Sequence, residues 1–470
     1  MPIHTITVKQ FRYFHEGTTV VNGAFYARSI SQGYVAMHQR RFLLLQGPAS
    51  PFLKKLAEAI ENKGAEVSKI NLSIGDVAFW WPRKSELFRE KPEHWAVYLD
   101  RYISDHNVTD IVMLGDGRAP HHSAAAVASA RGVDVHILEH GYLRPDWLTI
   151  EPDGMSAHSR FPQDAERIRM IAESAPAIDG VGRYRSSFLT YALYDLVYHV
   201  PNVLLGWLVH PHYRTHGPVH PVREYAGWIW KALRMKSRRR NADLATTAAL
   251  TPIQTADGVR LPRVFLFPLQ LPGDYQIIRH APGGDLFAIV DSVIASFAKH
   301  AGSNDRLLFK VHPIDNGLSR WPERIRAASK RHGISDRVFY ADGGDTDDLI
   351  TRAAGVVTVN STVGLTALSM AKPVVALGAA VYDIPGLTFQ GPLAEFWTNP
   401  GRPDMELFDA FQRALAATTQ VRGGFIGRDA IEAGAENVAA RLMEPAPRLP
   451  KSWAKPGGST QFRYMNELFG

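Results

Sequence analysis

Residues 356–378 read VVTVNSTVGLTALSMAKPVVALG. The run VVTV (356–359) is β-branched and uncharged, which suits a strand buried on both faces. Asn360, Ser361 and Thr362 are turn and helix-start residues. The stretch 362–371 then fits one short helix, and Lys372-Pro373 ends it. A second apolar run, PVVALG (373–378), follows at once. Strand, helix and strand in so short a span predict a parallel pair joined by a crossover helix.

The same unit recurs outward from this stretch. Upstream lie VFLFP (264–268), LLFKV (307–311) and RVFY (337–340), with a helix predicted over 320–332. Further upstream is a second series. RFLLLQGP (41–48) leads into a helix with Phe52, Leu53, Leu56, Ala59 and Ile60 on one face. EVSKINL (66–72), a helix around 92–106, IVML (111–114), an Ala-rich helix ending at Gly132 and VHIL (135–138) complete it. The prediction is an α/β protein of GT-B-like form, two Rossmann-like domains facing a central cleft. The predicted boundaries are an N-terminal arm (1–40), an N-terminal Rossmann-like domain (41–185), a helical insertion (186–260), a C-terminal Rossmann-like domain (261–400) and a helical tail (401–470).

A chain of 470 residues with 45% hydrophobic and 21% charged residues is of soluble globular type. This excludes a disordered, collagenous or polytopic membrane protein. Cysteine is absent, which excludes disulfides, thiolate zinc sites and a Cys nucleophile. The start, MPIHTITVKQFRYFHEG, lacks the apolar core of a signal peptide, so a cytoplasmic location is expected.

The formal net charge is +7, and six cations fall in KALRMKSRRR (231–240) with no acid among them. Nucleic-acid binders spread positive charge over a longer face. A single cationic spot suits an anionic lipid surface or a small anion better. Just before it, no formal charge occurs between Asp195 and Arg214, but Pro201, Asn202 and Gly206 interrupt that run. In REYAGWIWKALRMKSRRR (223–240), Tyr225, Trp228, Ile229 and Leu233 recur at helical spacing. That is the pattern of an interfacial helix, with Trp228, Arg238, Arg239 and Arg240 as its membrane contacts. A solvated basic helix is the alternative.

Ligands of facing α/β domains bind at the carboxyl ends of the strands. The polar residues at those ends are therefore the candidates. Gln46-Gly47 ends the first strand. Asp116 stands between two glycines after IVML, a position that also suits a helix cap. Glu139, Tyr142 and Arg144 follow VHIL, either in the cleft or in a salt-bridged loop. Gln270 and Asp274 follow VFLFP. Lys310 and His312 lie on one face at the end of LLFKV, where a cation and an imidazole suit a phosphate. Ser361 and Thr362 open a helix, where free N–H groups make an anion site and where Ser361 is equally a plain cap. The chain has no P-loop, GxSxG or HExxH pattern. DGGDTDD (342–348) reads as a helix-capping loop rather than a metal site.

Several segments together resemble the capsule polysaccharide export and biosynthesis family of Gram-negative bacteria, of the KpsS/LipB type. They are LLLQGPASPFLKKLAEAIENKGAEVSKINLSIGD, EHGYLRPDWLTIE, FPLQLPGD, KVHP, VNSTVGLTALSMAKPVVALG and VYDIPGLTFQGPLAEFW. The resemblance covers roughly 41–150 and 260–400. It implies a β-Kdo transferase using CMP-Kdo as donor and phosphatidylglycerol or its lyso form as acceptor, peripheral on the inner membrane, with no cofactor and no metal. Other capsule biosynthesis proteins are implied as partners. Such transferases carry a QxxxD element, matched by Gln270 to Asp274, an HP element, matched by His312-Pro313, and a hydroxyl pair, matched by Ser361-Thr362. They also carry an acid after an N-domain strand, for which Asp116 is the candidate. The implied mechanism retains configuration, with Asp274 as nucleophile and Asp116 as acceptor base. Two rival readings remain: a non-catalytic glycolipid-binding export or scaffold protein, and a transferase using another nucleotide sugar.

Overall fold

The structure is a computed structural model, and it describes residues 40–180, 182–184, 187–213, 221–255, 258–443, 449–453 and 462–469. Of the predicted arm, only residue 40 falls within this range. The strands in chain order are β1 (Arg41–Leu44), β2 (Glu66–Asn71), β3 (Glu86–Leu87), β4 (Asp110–Leu114), β5 (Asp134–His140), β6 (Trp147–Pro152), β7 (Ile253–Thr255) and β8 (Gly258–Arg260). Then come β9 (Val264–Pro268), β10 (Arg306–Lys310), β11 (Val338–Ala341), β12 (Gly355–Thr358), β13 (Val374–Ala376) and β14 (Gln420–Arg422). They form a seven-stranded sheet ordered β14-β6-β5-β4-β1-β2-β3, a five-stranded sheet ordered β11-β10-β9-β12-β13 and the hairpin β7-β8.

The five-stranded sheet is parallel throughout, and every residue of β9 is buried. Helices cover both of its faces, which is why its strands are continuous apolar runs. Strand order reverses on either side of β9 in this sheet and of β1 in the other. Loops after β9 and β12, and after β1 and β4, therefore part company and leave a crevice at the carboxyl ends. This is the predicted pair of Rossmann-like domains in a GT-B-like arrangement. At one end the halves share an apolar core: Phe161 and Ile168 join Phe408 and Phe411 in one cluster.

The region predicted as a helical tail contains a strand. β14 pairs antiparallel with β6, Gln420 opposite Thr149, and the helix Arg428–Met443 packs against the helix Phe52–Asn62 of the first domain. The chain thus crosses back to where it began. Gly423 makes this possible at φ 146°, because a Cβ there would lie 2.1 Å from the Gly434 Cα. Three residues are too few to show a strand period, and their partner is far away in sequence. Among its described residues the insertion forms three helices, Phe188–Val209, Pro221–Leu233 and Met235–Leu250, and the hairpin β7-β8. Pro201 lies inside the first of these and does not end it.

A buried ion cluster ties together the central strands β4 and β5 and the residue before β1. Arg40 Nε donates to Asp110 Oδ2 at 3.1 Å, and His136 Nε2 lies 2.7 Å from Asp110 Oδ1. Burial opposes the Asp110 charge, but His136 and Arg40 outweigh it and hold the carboxyl well below the usual range. Removing one partner of such a pair typically costs about 3–5 kcal/mol. Asp110→Ala is expected to lower stability by that order in urea melts at pH 7. The wild-type contribution is complete above the unfolded carboxyl pKa and is lost as pH falls toward the depressed folded value. The difference between the two proteins should therefore shrink on acidification.

Candidate active site

The second domain supplies three adjoining loops. β10 and β12 flank β9, so the loops bearing Asp274, His312 and Ser361 share one end of the sheet. The loops after β9 and β12 are locked together: Gln270 Nε2 donates to Asn360 Oδ1 at 2.8 Å, and Asn360 N donates to Gln270 Oε1 at 3.2 Å. Both ends of the Gln270 amide are thus engaged, and it holds a loop rather than orienting Asp274 or a ligand. Asp274 is the N-cap of the helix Tyr275–His280, with Oδ1 accepting from Gln276 N at 2.9 Å. Burial raises its pKa, partly countered by that N–H and by His280.

Lys310 is 5% exposed, with Nζ 3.4 Å from Val311 O, and burial lowers its pKa. Burial and then Lys310 also lower the pKa of His312, which favours its neutral form. Ser361 Oγ accepts from Val363 N at 3.2 Å, as a plain cap would. The Thr362 hydroxyl makes no cap bond.

Across the cleft stands Glu139, at the end of β5, its Oε1 accepting from its neighbour's N–H at 2.9 Å. Burial raises its pKa, and the Asp274 carboxyl adds to the rise against the pull of Arg118 and Arg144. Burial thus raises both carboxyls, and Asp274 adds to the rise at Glu139. Gly115 leaves room beside Glu139, since an added Cβ would meet its Oε2 at 3.4 Å and would sit at φ 64°.

Asp116 is placed differently. It is 8% exposed, its Oδ2 accepts from Met155 N at 3.0 Å, and its Oδ1 lies 3.3 Å from His280 Nε2 of the other domain. Burial opposes its charge, but His280, the Met155 N–H and His158 together bring its pKa below the ordinary value. Ser156 Oγ donates to Gln276 Oε1 at 2.7 Å beside this link. Gly117 permits the approach, because a Cβ there would lie 2.5 Å from Tyr275 Cβ. Asp116 thus clamps the far end of the helix that Asp274 begins. A carboxylate so engaged suits a positioning group better than the acceptor base expected from the sequence. His280, Ser156 and Gln276 were not among the sequence candidates. Their pairing is made between domains and has no signature in spacing.

Gln46, Gly47 and Tyr142 are also taken up by the fold. Gln46 is fully buried, donating to Asp76 Oδ2 at 2.9 Å and to Tyr198 OH at 2.7 Å, while Arg118 donates to its Oε1 at 3.1 Å. It joins the domain to the first insertion helix and does not line a cleft. Gly47 lies against Leu53. Tyr142 donates to Glu151 Oε1 at 2.8 Å, and burial lifts Glu151 to about 7. Arg144 is exposed.

The cationic stretch is divided. Lys231 Nζ donates to Pro313 O at 2.9 Å, bracing the His312-Pro313 loop, and Arg238 pairs with Asp342. Arg239 and Arg240 remain exposed, but Trp228 is half-buried beneath Lys231, 5.1 Å from the ring centroid. Trp228 and Arg238 are therefore contacts within the protein. In the acidic loop, Asp345 accepts from Asp347 N at 2.7 Å and caps a helix, and Asp348 pairs with Arg352. Among the described residues no group of three or more His, Asp or Glu is arranged to hold a metal ion.

A family model described as capsule polysaccharide biosynthesis protein matches residues 109–426. The chain is 30% identical over 394 residues to the capsule polysaccharide export protein KpsS of Escherichia coli, covering 82% of this chain and 97% of that protein. It is 30% identical over 398 residues to the capsule polysaccharide modification protein LipB of Neisseria meningitidis serogroup B, covering 82% and 91%. Among solved structures, the β-Kdo 2,7 transferase KpsC of Thermosulfurimonas dismutans is similar at 15% identity and a TM-score of 0.42, covering 86% of this chain and all of that one.

Proposed function

The chain belongs to the capsule polysaccharide biosynthesis family, and from that premise we propose that it is a retaining β-Kdo glycosyltransferase. In this reading it moves Kdo from CMP-Kdo to phosphatidylglycerol or its lyso form and so initiates the lipid anchor of a capsular polysaccharide. The protein works in the cytoplasm, peripheral on the inner membrane of a Gram-negative cell. One observation carries the reading: the fold gathers the loops bearing Asp274, His312 and Ser361 at one sheet end, with Glu139 of the other domain near enough to feel the Asp274 charge.

The chemistry follows from these positions. An Asp274 oxygen attacks the anomeric carbon of Kdo while the bond from that carbon to the CMP phosphate oxygen breaks, its electron pair leaving with CMP. Lys310, His312 and the Ser361-Thr362 turn steady the phosphate as it departs. Glu139 then takes the proton of the acceptor hydroxyl, whose oxygen attacks the same carbon and expels the Asp274 carboxylate. Two displacements restore the original configuration.

The test is incubation of the purified protein with CMP-Kdo and a fluorescent phosphatidylglycerol, read by mass spectrometry. The expected product is heavier by one Kdo residue. Its absence, with a uridine sugar or another cytidine sugar active in its place, would reject the donor. Lipid binding with no turnover of any donor would favour the export or scaffold reading, which the printed name of the Escherichia coli relative suggests. His312→Ala is expected to lower turnover by about 10²-fold, the usual loss for one donor to a developing anion. Transfer should persist in excess EDTA, since the charge on CMP is met by side chains. Loss on chelation that magnesium restores would show that a metal takes part.

A further inference from the structure

We propose that the helix Phe188–Val209 is an inverted helix that lies in the surface of an anionic lipid layer, its cationic border formed by the neighbouring helix pair. Its polar residues face the protein. Tyr198 OH accepts from Gln46 Nε2 at 2.7 Å, Asn202 Oδ1 accepts from Gly75 N at 3.0 Å, and Tyr194 meets Phe79 edge-on. Its outer face is apolar at helical spacing: Leu193, Leu196, Val200, Val203, Leu204 and Trp207 are all exposed, Leu204 by 62% and Trp207 by 71%. A helix on a water-facing surface shows the opposite arrangement.

By length and composition, Leu189–Val209 is also the one helix among the described residues able to cross a membrane. The contacts of Tyr198 and Asn202 argue against a span, because crossing would break them and bring Asn202, Asp195 and His199 into hydrocarbon. Lying in the interface keeps those groups on the protein and places only the apolar face among acyl chains.

The border identifies the occupant. Tyr225 OH donates to Asp195 Oδ2 at 2.7 Å, fastening the helix Pro221–Leu233 alongside. That helix turns Ile229, Trp230 and Leu233 outward. Arg234 stacks over Trp230 at 4.0 Å, and Arg234, Lys236, Arg239 and Arg240 are exposed. Tryptophan at the edge of an apolar face, followed by cations, matches the depth profile of an anionic layer. A second copy of the chain would set two such cationic borders together, so it fits less well.

The inference rests on the lipid acceptor proposed above for its use in catalysis, but it is tested without turnover. The full chain is floated with vesicles of equal phosphatidylglycerol and phosphatidylcholine, and with phosphatidylcholine alone. Wild type should float with the anionic vesicles, and high salt should weaken binding without abolishing it. L204S/W207S should lower partitioning by roughly tenfold or more with an unchanged thermal melt, since both side chains are mostly exposed. R239Q/R240Q should weaken binding at low salt only. Wild type that stays down, or L204S/W207S that floats like wild type, would overturn the proposal. So would a lipid-free dimer that L204S/W207S disperses, because a second copy would then cover the face. Flotation with no transfer supports the surface and counts against the transferase reading alone.

Discussion

Asp274→Asn is expected to lower Kdo transfer by about 10⁴–10⁶-fold, the range seen when a covalent nucleophile is removed. The substitution is well controlled by its place in the fold. Asp274 caps the helix Tyr275–His280 through Oδ1, and Asn caps as well as Asp does. The cap therefore survives while the attacking oxygen becomes an amide. Asp274→Ala loses both, so it should also destabilise the protein by about 1 kcal/mol. CMP binding, measured by calorimetry, should remain near wild type in the Asn variant. Near-normal turnover by Asp274→Asn would remove it from the reaction. The wild-type rate has a matching pH signature. Burial raises the Asp274 pKa, and burial with Asp274 raises that of Glu139. Both must be ionised in turn, so the acid limb of kcat/KM should lie above the ordinary carboxyl range of about 4.

Glu139→Gln is expected to lose about 10²–10⁴-fold, the contribution of a general base. Its failure has a distinctive form. The first displacement needs no base, so the Kdo ester on Asp274 should form and persist, visible as a mass increase on intact protein. Asp116→Asn and His280→Gln act through the clamp between domains, so they should lower turnover less, by about tenfold, and should accumulate no ester. Should Asp116→Asn trap the ester while Glu139→Gln turns over normally, the two acids would exchange roles and Asp116 would be the base after all.

The difference between these two acids marks where reading along the chain stops. Both follow N-domain strands, and spacing treats them alike. What separates them is His280, which the fold brings to Asp116 across 164 positions of sequence. Gln270 shows the same limit. The QxxxD pattern located it, yet its amide is occupied by Asn360 from the loop after β12. Trp228 and Arg238 were read as surface contacts because helical spacing reports which residues share a face. It does not report which face the protein covers, and the covered face here is the one against Asp342 and the His312-Pro313 loop.

The residues alone determined the local elements. VVTV and VFLFP are uncharged apolar runs, and LLFKV is apolar up to Lys310, so burial on both faces suits all three. Two α/β sheets with a parallel core, a crevice at the carboxyl ends of those strands and the positions of Asp274, His312 and Ser361 all follow, because strand ends are set by short-range pattern. The tertiary structure alone decided the rest: that the chain returns through β14 to its first domain, that Asp116 is engaged by His280 while Glu139 feels the Asp274 charge, and that the helix Phe188–Val209 turns its polar side inward. Each of these depends on contacts between segments far apart in sequence. Such contacts are chosen by packing and by the satisfaction of buried polar groups, and neither leaves a period along the chain.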